Sequence, residues 1–194
     1  MQQIGRYQIV EELGRGAMGV VYRALDPAIG RTIAIKSIRL REVSDSSEQQ
    51  RLRDRLIREA QSAGILSHPN IVTIYDILEQ GDVAHIFMEF VNGPSLEKML
   101  SDGTLPDRDT LLSFLRQVAA GLDHANKNGI VHRDIKPANL MLHSDTSTGE
   151  RTAKITDFGV AKFVSQQMTQ SGAMMGTRNY MTPGQIQGTT VDGR

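Results

Sequence analysis

The sequence predicts an α+β protein of two lobes, β-rich to about residue 90 and mostly helical beyond it. Three observations predict this architecture. Short runs rich in Val, Ile, Tyr and Thr recur through the first 90 residues, separated by turn residues. A Gly93-Pro94 break follows. Past it, apolar residues recur at helical spacing over 107–128.

Taken in order, 7–13 and 20–25 read as strands flanking a glycine-rich turn, and 32–38 as a third strand after the Asp26-Pro27 to Gly30-Arg31 turn. Three such strands form a meander with one face to cover. The cover is a helix over 48–66, with Ser46 and Ser47 as N-cap candidates and Leu52, Leu56, Ala60, Ala63 and Leu66 on one stripe. His68-Pro69-Asn70 ends it. Strands follow over 71–78 and 83–91. A short helix is expected over 95–101, then the long one over 107–128, apolar at Leu111, Leu115, Val118, Leu122 and Ala125. Short strands are expected at 130–132, 140–142 and 153–156, with 143–152 as a polar loop.

The 194 residues suffice for one domain or two small lobes. A composition of 39% hydrophobic and 23% charged residues speaks against wholesale disorder. Lys plus Arg and Asp plus Glu balance at 22 each, which speaks against a dedicated nucleic-acid binder. Without cysteine there are no disulfides, thiolate metal sites or cysteine nucleophiles. No apolar run approaches the roughly eighteen residues of a spanning helix. The expected setting is cytoplasmic, with any membrane tether lying beyond Arg194.

Four stretches carry chemistry. Leu13-Gly14-Arg15-Gly16-Ala17-Met18-Gly19-Val20-Val21 holds G-x-G-x-x-G between two strands. A strand rather than a helix follows the glycines, which removes the dinucleotide-binding reading. Bare backbone N–H groups in such a flap can lie over phosphates, although glycines in a hairpin also serve plain turn geometry. Lys36, in Ile33-Ala34-Ile35-Lys36, offers an ammonium to phosphates, and Glu59 is the candidate carboxylate that steers it. Local pairing of Glu59 with the arginines of its own helix stays open.

The most specific stretch is His132-Arg133-Asp134-Ile135-Lys136-Pro137-Ala138-Asn139, which fits H-R-D-x-x-x-x-N. There Asp134 can accept a hydroxyl proton, Lys136 can offset charge on a transferring phosphoryl, and Asn139 can offer an amide oxygen to Mg2+. Asp157-Phe158-Gly159 follows the 153–156 strand, and the Asp157 carboxylate suits the same hard cation.

These stretches, in this order, resemble the eukaryotic-like Ser/Thr protein kinases of bacterial type, from about Tyr7 to Arg194. The resemblance implies a two-lobed domain over 1–194, with the N-lobe at 7–90 and a partial C-lobe at 91–194. It implies Mg-ATP as phosphoryl donor and protein Ser/Thr hydroxyls as acceptors. It makes Met88 the guard of the adenine pocket, with Glu89 and Val91 offering backbone groups and Leu13, Val21, Ala34 and Met141 packing the nucleotide. Thr177, in Gly176-Thr177, would bond toward Asp134 and Lys136. Arg133 beside Asp134 implies control by phosphorylation of the segment holding Thr169 and Ser171, by kinase–kinase contact; plain solvated hydroxyls are the alternative there.

Two departures from the family pattern stand out. Thr182-Pro183-Gly184 occupies the place of A-P-E, so its carboxylate is missing. The chain also ends where relatives begin the central helix of the large lobe, so an incomplete domain is expected, with the apolar face of helix 107–128 partly exposed. Both departures leave room for a second reading, an ATP-binding or docking module of impaired catalysis. A third, a small-molecule phosphotransferase, is opposed by Lys136 and by the 176–183 segment.

Overall fold

The structure, a computed structural model, describes residues 2–16, 19–40, 46–145, 147–158 and 177–186. The architecture is α+β, in two compact units. The first comprises Met1–Gly64 and Thr73–Phe90; the second comprises Ile65–Val72 and Val91–Arg194.

In the first unit β1 (Gln3–Ile4), β2 (Tyr7–Gly16), β3 (Gly19–Asp26), β4 (Arg31–Arg39), β5 (Ile74–Gln80) and β6 (Val83–Glu89) form one antiparallel sheet. Its strand order is β1-β2-β3-β4-β6-β5. Strand β4 lies inside this order and reads Ile-Ala-Ile-Lys-Ser-Ile over 33–38, nearly continuous in apolar character because both of its faces are covered. On one face Ile33 and Ile35 join Ile4, Tyr7, Ala24 and Phe87 in a buried cluster, with the Tyr7 and Phe87 rings 4.4 Å apart. Each fully buried Ile or Phe there contributes about 1.5–3 kcal/mol. On the other face the ladder aligns Val21, Lys36 and Ile86 in one row, and Arg23, Ala34 and Met88 in the next.

Helix α1 (Ser46–Gly64) packs against β5 and buries Leu56, Ala60 and Ala63, spaced four and three residues apart as one helical face requires. The side chains of Ser46, Ser47 and Leu52 lie outside the described residues.

The strand expected over 71–78 begins only at Ile74. Ile71 and Val72 instead belong to the second unit, where Val72 N–H donates to Ile155 O at 2.9 Å and Ile155 N–H to Asn70 O at 2.8 Å. Alternation marks a β-branched run, but it does not say which sheet the run will join.

The second unit holds α2 (Leu96–Ser101), α3 (Arg108–Lys127) and a hairpin of β7 (Leu140–Ser144) with β8 (Arg151–Ile155). A 3-10 turn at Pro137–Asn139 precedes β7, another spans Thr177–Tyr180, and α4 (Pro183–Ile186) is a single turn. Ser95 Oγ caps α2 by accepting from Lys98 N–H, and Asp107 caps α3 by accepting from the N–H groups of Asp109 and Thr110. Residues 130–132 form no strand; Ile130 N–H closes back on Ala125 O after Gly129 turns the chain at φ 73°. The polar loop is shorter than expected, because His143, Ser144, Arg151 and Thr152 pair in the hairpin.

The buried face of α3 is Phe114, Val118, Gly121 and Ala125, whereas the predicted stripe residue Leu115 is 45% exposed. Periodicity locates such a face only to within a residue. The partner settles it: a Cβ on Gly121 would stand 2.9 Å from Ile155 Cδ1, so helix and hairpin meet at this glycine. Beside it, buried Asn70 donates through Nδ2 to Gln117 Oε1 (3.0 Å) and Ala153 O (2.9 Å), while Gln117 Oε1 also accepts from Ala153 N–H. This knot ties the 65–72 segment, α3 and β8 together.

Candidate active site

In the second unit, the segment 132–139 is held from several sides. His132 is buried; its Nε2 lies 2.8 Å from Thr156 O, and its Nδ1 accepts from Asp134 N–H at 3.2 Å. A carbonyl only accepts, so Nε2 carries the proton and the ring is the neutral tautomer with both nitrogens satisfied. Burial, the largest cause, pushes its pKa below the ordinary histidine value, outweighing the Thr156 carbonyl and the charges of Asp157 and Asp134. The ring stands edge-on to Phe158, with centroids 4.5 Å apart.

Asp134, with its side chain 10% exposed, is gripped by two donors. Lys136 Nζ lies 2.9 Å from Asp134 Oδ2, and Asn139 Nδ2 donates to the same oxygen at 3.1 Å and to Asp134 O at 2.8 Å. Because both Asn139 contacts are acceptors, the amide nitrogen faces Asp134 and Oδ1 is left facing elsewhere. The backbone of Asn139 is engaged too: its N–H donates to Lys136 O, and its carbonyl accepts from Thr156 N–H, both at 2.9 Å.

Among the described residues two non-glycines have positive φ, Arg133 at 65° and Asp157 at 63°. Each such conformation costs on the order of 1 kcal/mol and persists where its surroundings over-determine it. Both residues adjoin this cluster, since Arg133 precedes Asp134 and Asp157 follows Thr156. The carbonyl of Arg133 accepts from Gln185 Nε2. Val91 is buried and Met141, on β7, is half-buried.

The first unit carries the remaining candidates. Gly14, Gly16 and Gly19 lie at the closed end of the β2–β3 hairpin, where Gly16 pairs with Gly19 and Gly14 with Val21. Their requirements differ. At Gly19 φ is 149° and a Cβ would fall 1.8 Å from Ser37 O, so the strand's approach to β4 demands glycine. At Gly14 and Gly16 a Cβ would meet nothing within 4 Å, so packing leaves those positions open.

Val21, Ala34, Lys36 and Met88 share one sheet face, and Leu13 is exposed at the bulge beside Gly14. Glu89 N–H is committed to Thr73 O at 2.9 Å, so an adenine contact through Glu89 would use its carbonyl. Lys36 on β4 and Glu59 on α1 are both half-buried in this unit.

Thr169 and Ser171, and the side chain of Thr177, lie outside the described residues. Sequence reasoning overlooked Gln185 and Asn70. A capping-box spacing, Thr182-x-x-Gln185, signals the local role of Gln185 but not its bond to Arg133.

A fit to a divalent cation rests on donor chemistry. Asn139 Oδ1 and the Asp157 carboxylate are hard oxygens, and among the described residues no group of three or more His, Cys, Asp or Glu forms a metal cage. Two protein oxygens suit Mg2+, which keeps its remaining positions for water and substrate phosphates.

Comparison with known proteins adds an independent finding. The family described as "Protein kinase domain" matches residues 7–194. Serine/threonine-protein kinase PrkC of Bacillus subtilis is 39% identical over 186 residues, a match covering 95% of this chain and 27% of PrkC. The chain spans 27–28% of the length of the first curated relatives it matches. The crystal structure of the Mycobacterium tuberculosis PknI kinase domain superposes with a TM-score of 0.74 at 27% identity, covering 99% of this chain and 69% of that one. That of Rad53 1-466 in complex with AMP-PNP gives a TM-score of 0.66 at 29% identity, covering 80% of this chain and 38% of that one.

Proposed function

This chain belongs to the protein kinase domain family, and we propose that it transfers the γ-phosphoryl group of ATP to Ser or Thr hydroxyls of proteins. The observation that carries the reading is Asp134, a nearly buried carboxylate whose Oδ2 is held at once by Lys136 Nζ and Asn139 Nδ2.

Phosphoryl transfer asks little covalent chemistry of a protein; it asks for positioning and charge. Asp134 accepts the hydroxyl proton and orients the attacking oxygen. That oxygen bonds to the γ-phosphorus as the bond to the β–γ bridging oxygen breaks, and ADP leaves with the electron pair. Lys136 offsets charge on the transferring group. Lys36, steered by Glu59, pairs with the α- and β-phosphates, and the open Gly14 and Gly16 positions let backbone N–H groups approach phosphate. Leu13, Val21, Ala34, Met88 and Met141 pack the nucleotide, with Glu89 and Val91 contacting the adenine edge. Asn139 and Asp157 would hold Mg2+, which when bound would neutralise charge on the phosphate oxygens. Thr177 orients the acceptor beside Asp134. Phosphate on Thr169 or Ser171, added by a second copy, pairs with Arg133. A dependence on ATP fits a cytoplasmic setting.

The test is transfer of labelled γ-phosphate to a basic Ser/Thr-bearing protein, with an Asp134→Asn variant beside the parent. Phosphoserine or phosphothreonine that disappears in the variant is expected. Transfer that survives Asp134→Asn, or label found on an added small alcohol and on no protein, overturns the reading.

A further inference from the structure

We infer that Gln185 is a positioning residue that clamps the peptide unit in front of Asp134 to the segment after Thr177; this rests on the kinase reading above. Three contacts carry it. Thr182 and Gln185 form a reciprocal capping box: Gln185 Oε1 accepts from Thr182 N–H at 2.9 Å, and Thr182 Oγ1 accepts from Gln185 N–H at 3.3 Å. In such a box the residue at this position needs only an acceptor, and Glu serves as well as Gln. Gln185 has a donor left over, and it spends that donor on Arg133 O, 52 residues back in the chain.

The Arg133–Asp134 peptide is thereby held from both sides. Its carbonyl accepts from Gln185 Nε2, and its N–H donates to His132 Nδ1. Arg133 sits at φ 65°, a conformation that a residue with a Cβ leaves readily unless its flanking peptides are pinned. The orientation of this peptide sets the direction in which Asp134 leaves the backbone. The bond thus couples two things the reaction needs together: the carboxylate that accepts the proton, and the 177–186 segment that presents the hydroxyl. It also anchors the Thr182-Pro183-Gly184 segment to the 132–139 loop.

Gln185→Glu keeps the acceptor for Thr182 N–H, removes the donor to Arg133 and adds a charge, an added effect that Gln185→Met controls for. Gln185→Met, of similar volume, removes both. With Gln185→Glu the expected result is about a tenfold fall in kcat/KM for a Ser/Thr peptide. ATP affinity should stay unchanged and Tm should fall by only a few degrees, with faster amide exchange at Asp134 and slow exchange retained at Thr182. Gln185→Met should speed exchange at both amides. Full peptide transfer by Gln185→Glu in an active parent, or unchanged Asp134 exchange in both variants, overturns the clamp. A parent that transfers no phosphate overturns the kinase reading instead, and exchange at Asp134 then decides the clamp alone.

Discussion

Asn139 Nδ2 reaches two oxygens of a single residue, Asp134 O at 2.8 Å and Asp134 Oδ2 at 3.1 Å, from a position that is itself buried. One amide group thereby fixes both the backbone and the carboxylate of Asp134, and the same contacts leave its oxygen facing away from Asp134.

Replacing Asn139 with Ala removes both Nδ2 bonds, so Asp134 O loses this donor while Asp134 Oδ2 keeps only Lys136. The expected cost is about 1–3 kcal/mol of stability, read from urea denaturation. Phosphoryl transfer should fall much further than that loss alone explains, since the proposed cation ligand goes too. A variant as stable and as active as the parent would remove Asn139 from both roles.

The glycines of the β2–β3 hairpin should respond differently to the same substitution. Gly19→Ala forces a Cβ against Ser37 O and places a side chain at φ 149°, so a loss of roughly 3 kcal/mol or more is expected from thermal unfolding. Gly16→Ala meets no neighbour within 4 Å, so its stability should change by less than about 1 kcal/mol while ATP affinity drops. Equal effects on stability would contradict this division of labour.

Acid should destabilise the protein before its carboxylates titrate. The His132 pKa is lowered by burial, and those of His68 and His85 are lowered for the same leading reason. Between the depressed folded values and the ordinary one of about 6.5, the unfolded chain binds more protons than the folded one. Stability is therefore fully present above about pH 6.5 and declines as pH falls below it. Urea midpoints from pH 7.5 to 5.5 should show the decline, and the His132 ring should protonate only below the ordinary histidine value. A His132 that protonates at or above pH 6.5 would refute the neutral buried tautomer.

Much of the candidate site was legible because the chemistry proposed for it depends on residue type at fixed spacing. Asp134, Lys136 and Asn139 stand within six residues of one another, so a short loop must bring them together whatever surrounds it. The main elements were legible for a similar reason, since periodicity and caps such as Asp107 are local. The exceptions are equally physical. Leu115 was misplaced because a helix wheel does not contain the hairpin that α3 meets, and 71–72 was misassigned because alternation does not name a partner strand.

By itself, then, the sequence determined the α+β architecture, the order of the strands along the chain and the candidate groups for phosphate chemistry. These follow from local backbone preference and from side-chain chemistry. Only the tertiary structure decided which glycine is demanded by packing, which ring nitrogen of His132 bears the proton, and that Gln185 spans 52 residues to reach Arg133. Such facts depend on what a remote segment presents at a given point in space, and no local pattern carries that information.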